Sequence, residues 1–239
     1  MNETVATEPA LPGLFARAIG VLTSPKATFE AVVRSPRSIG ILAIVALLSG
    51  VSQAAFGLTE KGRQATLDFQ VQQMERFGAT VTDEMYANME KQAPYQPYIQ
   101  MVGAFIMLPI FVMIVTAILY AVFNAVMGGT AEFKQVMAVS SHAWMVPAAG
   151  ALFGGLMNFA RGSISTSVAN LGMLLPMLPE GSFAANLAGA ADLFMLWFVF
   201  TLAVGLGVLY KRKTSGIAIA LFSVYGVIAI GTSYFFRKG

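Results

Sequence analysis

The chain has 239 residues, of which 56% are hydrophobic and only 11% charged, and its mean hydropathy is +0.69. Soluble domains carry about 25% charged residues, so this composition excludes an ordinary soluble protein and describes a polytopic membrane protein. Fifteen basic and twelve acidic residues are too few for a nucleic-acid surface, and the absence of cysteine excludes disulfides, a thiolate nucleophile and thiolate metal sites.

Met1 to Leu11 contains Glu3, Glu8 and Pro9 and no apolar run of seven to fifteen residues, so no signal peptide is expected. Leu14, Phe15, Ala18, Ile19 and Leu22 then repeat at helical spacing, with Arg17 and Lys26 outside the stripe. This pattern predicts an amphipathic interfacial helix within an N-terminal cytoplasmic segment, 1–37. Ser24-Pro25 and Ser35-Pro36 each place a hydroxyl before a proline, the signature of a helix N-cap followed by its first residue.

Apolar runs with at most one charged residue locate five spans in a membrane domain covering 38–236: Ser38 to Leu58, Met101 to Met127, Gln135 to Asn158, Leu187 to Tyr210 and Ser215 to Phe236. Each is close to the roughly 20 residues that a bilayer core requires. The fold class is therefore all-α, a polytopic bundle of five transmembrane helices. Between the first two spans, Thr59 to Gln100 is polar, with six acids and four bases. Leu67, Val71 and Met74 share one helical face there, and Met85 and Met89 share another after Thr82-Asp83-Glu84, which predicts two short extramembrane helices. Residues 162–179 lack charge but hold Ser163, Ser165, Thr166, Ser167, Asn170, Pro176 and Pro179, so they are expected to form a loop with an interfacial or re-entrant stretch around Leu171 to Leu178.

Arg17, Lys26, Arg34 and Arg37 precede the first span, and Lys211, Arg212 and Lys213 fill the tight loop before the last. The density of positive charge in these short flanks orients the N-terminus to the cytoplasm and the C-terminus to the outside of a bacterial cytoplasmic membrane.

Few residues offer chemistry. His142 is the only histidine, with no acid three or four positions away, and is expected to be a neutral bundle residue bonded to a neighbour such as Asn124 at similar depth. Asp192 is the only acid inside a span. It either pairs with Arg161 or caps its own helix, with a substrate or ion site as the functional alternative. Gly150 and Gly154 form a G-x-x-x-G pair suited to close helix packing, and Pro109 and Pro147 kink their spans. No lipase elbow, zincin, phosphate-binding loop or paired intramembrane aspartates occur, so an enzyme, a cofactor and a metal are not expected.

Several of these features occur in a specific order. Leu22-Thr23-Ser24-Pro25 to Phe29 precedes the first span and Gly128-Gly129-Thr130 with Phe133 separates the second and third. Pro147 lies in the third, and Asp192-Leu193-Phe194 with Trp197 opens the fourth. Together they resemble the bacterial branch of the YIP family, the Ypt/Rab-interacting membrane proteins, over roughly residues 12 to 236. The resemblance implies five spans, a cytosolic N-terminus and, from eukaryotic members, roles with Rab-type GTPases, vesicle traffic and membrane shaping. The long acidic or proline-rich N-terminal region of those members has no counterpart here, which argues against GTPase binding. The resemblance implies a non-enzymatic adaptor or membrane-organising protein whose partners are the bilayer, membrane proteins or further copies of itself. The competing expectation, from Asp192, His142 and the two kinking prolines, is a small-solute or lipid transport component.

Overall fold

The computed structural model describes residues 11–164, 169–179 and 181–237. The expected serine and threonine run at 165–167, the first ten residues and Lys238 lie outside them. Among the described residues the secondary structure is helical apart from one isolated bridge, Asn170 to Asp192. The helices are α1 (Leu14–Thr23), α2 (Pro25–Arg34), α3 (Ile39–Gly57), α4 (Glu60–Arg76), α5 (Asp83–Gln92) and α6 (Gln96–Tyr120), which runs into a π-helical turn at Ala121–Val126. Then come α7 (Phe133–Ala143), α8 (Met145–Arg161), a 3-10 turn at Leu171–Leu174, α9 (Phe183–Ala190), α10 (Leu193–Leu209) and α11 (Thr214–Phe235).

The bundle has two ends. At the basic end Arg212 donates to Met127 O at 2.7 Å, the Tyr210 hydroxyl donates to Asn124 Oδ1 at 2.8 Å, and Leu14 lies on Gly40. At the far end Gly57 abuts Pro97, Lys61 lies against Gly162, and the rings of Phe77 and Phe236 meet edge to face. The α3, α6, α7–α8, α10 and α11 segments each run between these ends. Four are long and apolar enough to cross a bilayer: Ile39–Gly57, Gln96–Val126, Phe133–Arg161 and Thr214–Phe235. The remaining one differs from expectation. The run from Leu187 is not one helix, because α9 stops at Ala190 and the next two residues pair with the 169–171 backbone. Leu171 N–H donates to Ala191 O at 3.2 Å, and Leu193 N–H donates to Ala169 O at 2.9 Å. The apolar helix α10 beyond this pairing has 17 residues.

The α10 helix is central, with Phe198, Leu202, Ala203 and Leu206 buried among α2, α7, α8 and α11. Both α6 and α11 lie at the periphery and expose Ile106, Phe111, Ile118, Val227 and Ile228. An apolar surface of this kind is compatible with lipid and not with water.

The α1 helix splits the apolar stripe between the bundle and the outer surface. The α1 helix buries Arg17, Ala18 and Val21 and turns Phe15 (74% exposed) and Ile19 (63% exposed) outward. Arg17 Nε donates to Pro12 O and Nη1 to Ser35 O, both at 2.9 Å, so the guanidinium closes the C-terminus of α2. Here a charge is buried because it satisfies carbonyls that helix termini leave unpaired. Ser24 does precede α2, with Pro25 in its first turn, but its hydroxyl makes no capping bond. Ser35-Pro36 starts no helix; it ends α2, and α3 begins only at Ile39.

In the polar segment the expected helices α4 and α5 are present, and Thr59 and Thr82 accept the Gly62 and Met85 N–H groups at 3.0 and 3.3 Å.

The α8 helix approaches α3 closely at Gly155. A Cβ on Gly155 would stand 2.7 Å from Ser52 O on α3; Gly155 is buried, Gly154 is half-buried, and both line one cavity. Because one position rotates a helix by about 100°, the backbone approach belongs to Gly155. Gly155→Val is expected to lower stability by about 1–3 kcal/mol through overpacking. Gly226→Ala, which meets open space, is expected to be neutral or to stabilise by up to about 1 kcal/mol. Thermal unfolding of the purified protein in one detergent distinguishes the two.

Candidate functional site

A cavity of about 420 Å³ lies towards the far end, between α3, α8 and the start of α10. Ser52 and Gln53 come from α3, Pro147, Gly150, Gly154 and Asn158 from α8, and Asp192 and Phe194 from the α10 start. Five of the residues singled out in the sequence, Asp192, Pro147, Gly150, Gly154 and Phe194, therefore line one space. Local chemistry places each of them. Asp192 is the N-cap of α10, its Oδ1 accepting the Phe194 and Met195 N–H groups, each at 3.0 Å. Its own backbone is fixed by the bridge to Asn170. Phe194 sits on Gly150, where a Cβ would come within 2.7 Å of the ring, and stacks on the half-buried Trp197 at 6.3 Å. Pro147 lies in the first turn of α8, beyond the break at Trp144 between α7 and α8. A proline there offers no N–H to the carbonyl four residues earlier, which accounts for an interruption at this point.

Arg161 does not join the site. It is exposed in the last turn of α8 and, among the described residues, makes no ion pair with Asp192; the ion pair seen joins Lys134 to Glu132 at 2.8 Å. Of the two arrangements expected for Asp192, capping is the one formed.

His142 and Asn124 are elsewhere and do not bond to each other. The His142 ring is buried on α7, with Nδ1 2.7 Å from Ala138 O, so Nδ1 carries the proton and Nε2 is the acceptor. Among the described residues that Nε2 is buried without a partner, as are Ser140 Oγ, Trp144 Nε1 and Thr201 Oγ1. Asn124 is committed to the basic end: its amide donates to Ala131 O at 2.6 Å and its carbonyl accepts from Tyr210. The correction arises from the π turn at Ala121–Val126, which closes on a Met127 N–H to Val122 O bond at 3.0 Å and turns Asn124 toward the loop.

Gly128 and Gly129 serve this same knot. Gly128 has φ +69°, and a Cβ on Gly129 would collide with the Tyr210 ring and with Phe123 O. Tyr210 stacks on Phe123 with centroids 4.9 Å apart. Arg17, Gly155, Tyr210 and Asn170 were not singled out as sites in the sequence. The doubled Gly154-Gly155 is the one signal that points to any of them.

The cavity is lined by one carboxylate, two amides and a hydroxyl beside glycine and aromatic rings, with the Ser52 hydroxyl donating to Leu48 O and the Gln53 amide to Ser49 O. That set can hydrogen-bond a small polar group, and the volume is within the range of ligand pockets. Among the described residues no three His, Cys, Asp or Glu side chains are grouped to hold a metal ion.

A bundle of long apolar helices with a lipid-compatible surface is the build of a polytopic membrane protein. The chain matches the Yip1 domain over residues 19–235 and so belongs to the Yip1-domain family. It is 25% identical over 240 residues to the membrane protein YknW of Bacillus subtilis (strain 168), an alignment covering 96% of this chain and 91% of the relative. No solved structure matches.

The geometry sets two expected outcomes. Asp192→Asn keeps an oxygen acceptor and is expected to melt close to the parent, whereas Asp192→Ala loses the cap and is expected to cost about 0.5–2 kcal/mol. Thermal melts of both variants check this. His142→Gln is expected to fold with a modest loss, and zinc is expected to leave the melting temperature of the parent unchanged. A zinc-dependent rise that disappears in His142→Gln would overturn the structural assignment of this residue.

Proposed function

We propose that this Yip1-family protein is a non-enzymatic membrane adaptor or membrane-organising protein. It would cross the bacterial cytoplasmic membrane five times, with the N-terminus in the cytoplasm and the C-terminus outside. The α10 helix is then the fourth span: 17 residues extend roughly 25 Å, at the short end of the spanning range. The basic end, with Arg37, Lys134 and Lys211 to Lys213, would face the cytoplasm. The partners would be membrane proteins or further copies of the chain.

The observation that carries the adaptor reading is where the Asp192 cavity stops. Its lining reaches no deeper towards the basic end than Pro147 and Ser52. Below it Val139, Ala143, Val146, Ala203 and Leu206 form a packed core. A solute path needs polar groups that line a continuous space at several depths; here the hydroxyls of Thr116 and Ser141 bond back to the carbonyl four residues earlier, at 2.7 and 2.6 Å, and Ser140, His142 and Thr201 are enclosed in the packed core. Outside the bundle, Phe69, Met74, Met85 and Met89 line an apolar groove of about 520 Å³ between α4 and α5, a surface type that adapts to protein partners. The transport alternative draws on the Asp192 cavity itself, which would be one half of an alternating path.

Flux measured in liposomes beside crosslinking in native membranes separates the two readings. The adaptor reading expects reproducible crosslinked partners or oligomers and no solute flux; flux abolished by Asp192→Asn would overturn it. Topology is checked with single cysteines, since the chain has none. Thr80→Cys is expected to react with an impermeant reagent in intact cells, and Lys213→Cys only after permeabilisation. The reverse pattern would invert the orientation.

A further inference from the structure

The far end holds a second cavity, of about 570 Å³, that neither the adaptor nor the transport reading uses. It lies between Arg76 at the end of α4, the 170–178 segment, α9 and the last turn of α11. Its polar walls are rich in donors. Arg76 Nη2 donates to Asn186 Oδ1 at 3.0 Å, and the guanidinium carbon lies 5.7 Å from the centroid of the Phe236 ring. Asn186 donates in turn to Phe236 O at 3.2 Å, so Arg76 is held by a residue that ties α9 to the end of α11. Asn170 accepts the Met173 N–H through Oδ1 at 3.1 Å, and its NH₂ lies on the side of Gly189, another lining residue.

Among the described residues no acidic side chain lines this cavity, and Arg76 makes no ion pair. A guanidinium and an amide that face a space without a carboxylate favour an anion, and the planar donor fork of arginine matches phosphate. The apolar side of the site has a direction too. Leu175 and Leu178 line the cavity, while next to them Leu174 and Met177 are strongly exposed. The neighbouring α11 exposes Val227, Ile228 and Ile230 and ends on Tyr234 and Phe235. Side chains of this kind meet acyl chains, and aromatic residues at a span's end mark the headgroup level.

We propose that this cavity binds the headgroup of an anionic phospholipid. Arg76 and Asn170 face the phosphate, and the acyl chains run against the 174–178 stretch and the outer face of α11. The proposal rests on α11 crossing the bilayer and is independent of the adaptor reading, whose failure would be read from flux.

The test uses the full chain purified in a neutral detergent. Short-chain phosphatidylglycerol, short-chain phosphatidylcholine and glycerol 3-phosphate are titrated while melting temperature is followed, and retained lipid is counted by native mass spectrometry. Phosphatidylglycerol is expected to raise the melting temperature well above the effect of phosphatidylcholine. Arg76→Gln is expected to weaken that response about tenfold or more, and Arg76→Lys to retain part of it. Arg76 sits at an exposed helix end, and the lipid count on the folded fraction gives the answer even if a variant melts earlier. Equal phosphatidylglycerol responses in the parent and in Arg76→Gln would overturn the proposal. So would a glycerol 3-phosphate response as large as that of the lipid, which would make this a site for soluble phosphate esters.

Discussion

Aromatic rings seated on glycines hold α10 in the middle of the bundle, and the rest of the architecture depends on that arrangement. Phe194 rests on Gly150 at one end, Gly205 receives Phe29 and Val139 near the other, and Tyr210 covers Gly129 just beyond the helix. Each seat joins α10 to a different neighbour: α8, then α2 with α7, then the loop after α6. In a bilayer apolar side chains gain nothing from leaving lipid, so helix association depends on close packing and on small residues that permit it. Hydrogen bonds fix only the two ends of α10, through the Leu193 N–H to Ala169 O bond and the Tyr210 hydroxyl, so packing fixes the rest. The stacking of Phe123 on Tyr210 and the tilted contact of Trp144 with Phe198, at 5.0 Å, extend the same device.

The same solvent explains the handling of polar groups. The hydroxyls of Thr116 and Ser141 and the Nδ1–H of His142 bond back to their own helices, and Thr116 Oγ1 also lies 3.4 Å from Met137 Sδ on α7. Hydrogen bonds that tie distant elements together sit at the two ends, where Arg212 and Tyr210 bind the basic loops and Asn186 binds α11. Arg17 obeys this rule in an unusual place. Burial, with the charge of Arg37 second, lowers its pKa from the ordinary value. It stays protonated nonetheless, because guanidinium is so strong a base. In that state it satisfies two carbonyls that would otherwise be unpaired.

Much of the fold was legible in the sequence because the membrane imposes long charge-free runs, and these delimit α3, α6, α7–α8 and α11 to within a few residues. The start of α10 was not, because Leu187 to Ala191 is as apolar as α10 itself. Only a backbone pairing with residues 169–171, remote in sequence, separates α9 from it. The α1 stripe was legible as periodicity, but the burial of Arg17 was not, because the carbonyls it satisfies come from Pro12 and from Ser35 at the end of α2. Gly154 and Gly155 differ by one position, and only the phase of α8 against α3 selects the second. The site residues were partly legible for the same reason. Asp192, Phe194 and Gly150 meet because a cap, a ring and a gap are local chemical needs. Asn124 went to Tyr210 because a π turn rotated it, and no composition or spacing signals that turn.

The two ends are built for different work. At the basic end the loops are short, and Arg212, Tyr210 and Asn124 cross-link them, so the spans there are fixed to one another. At the far end the connections are long and carry α4, α5, the 3-10 turn and α9, and both polar cavities open among them. Connections of this length cost little in closure entropy, since that cost grows only with the logarithm of length. They can therefore carry binding surfaces without loosening the bundle, whose core lies nearer the basic end around Val139, Leu202 and Leu206. A protein arranged in this way carries its adaptable surface on one side of a rigid anchor, which is the physical basis of the proposed adaptor role.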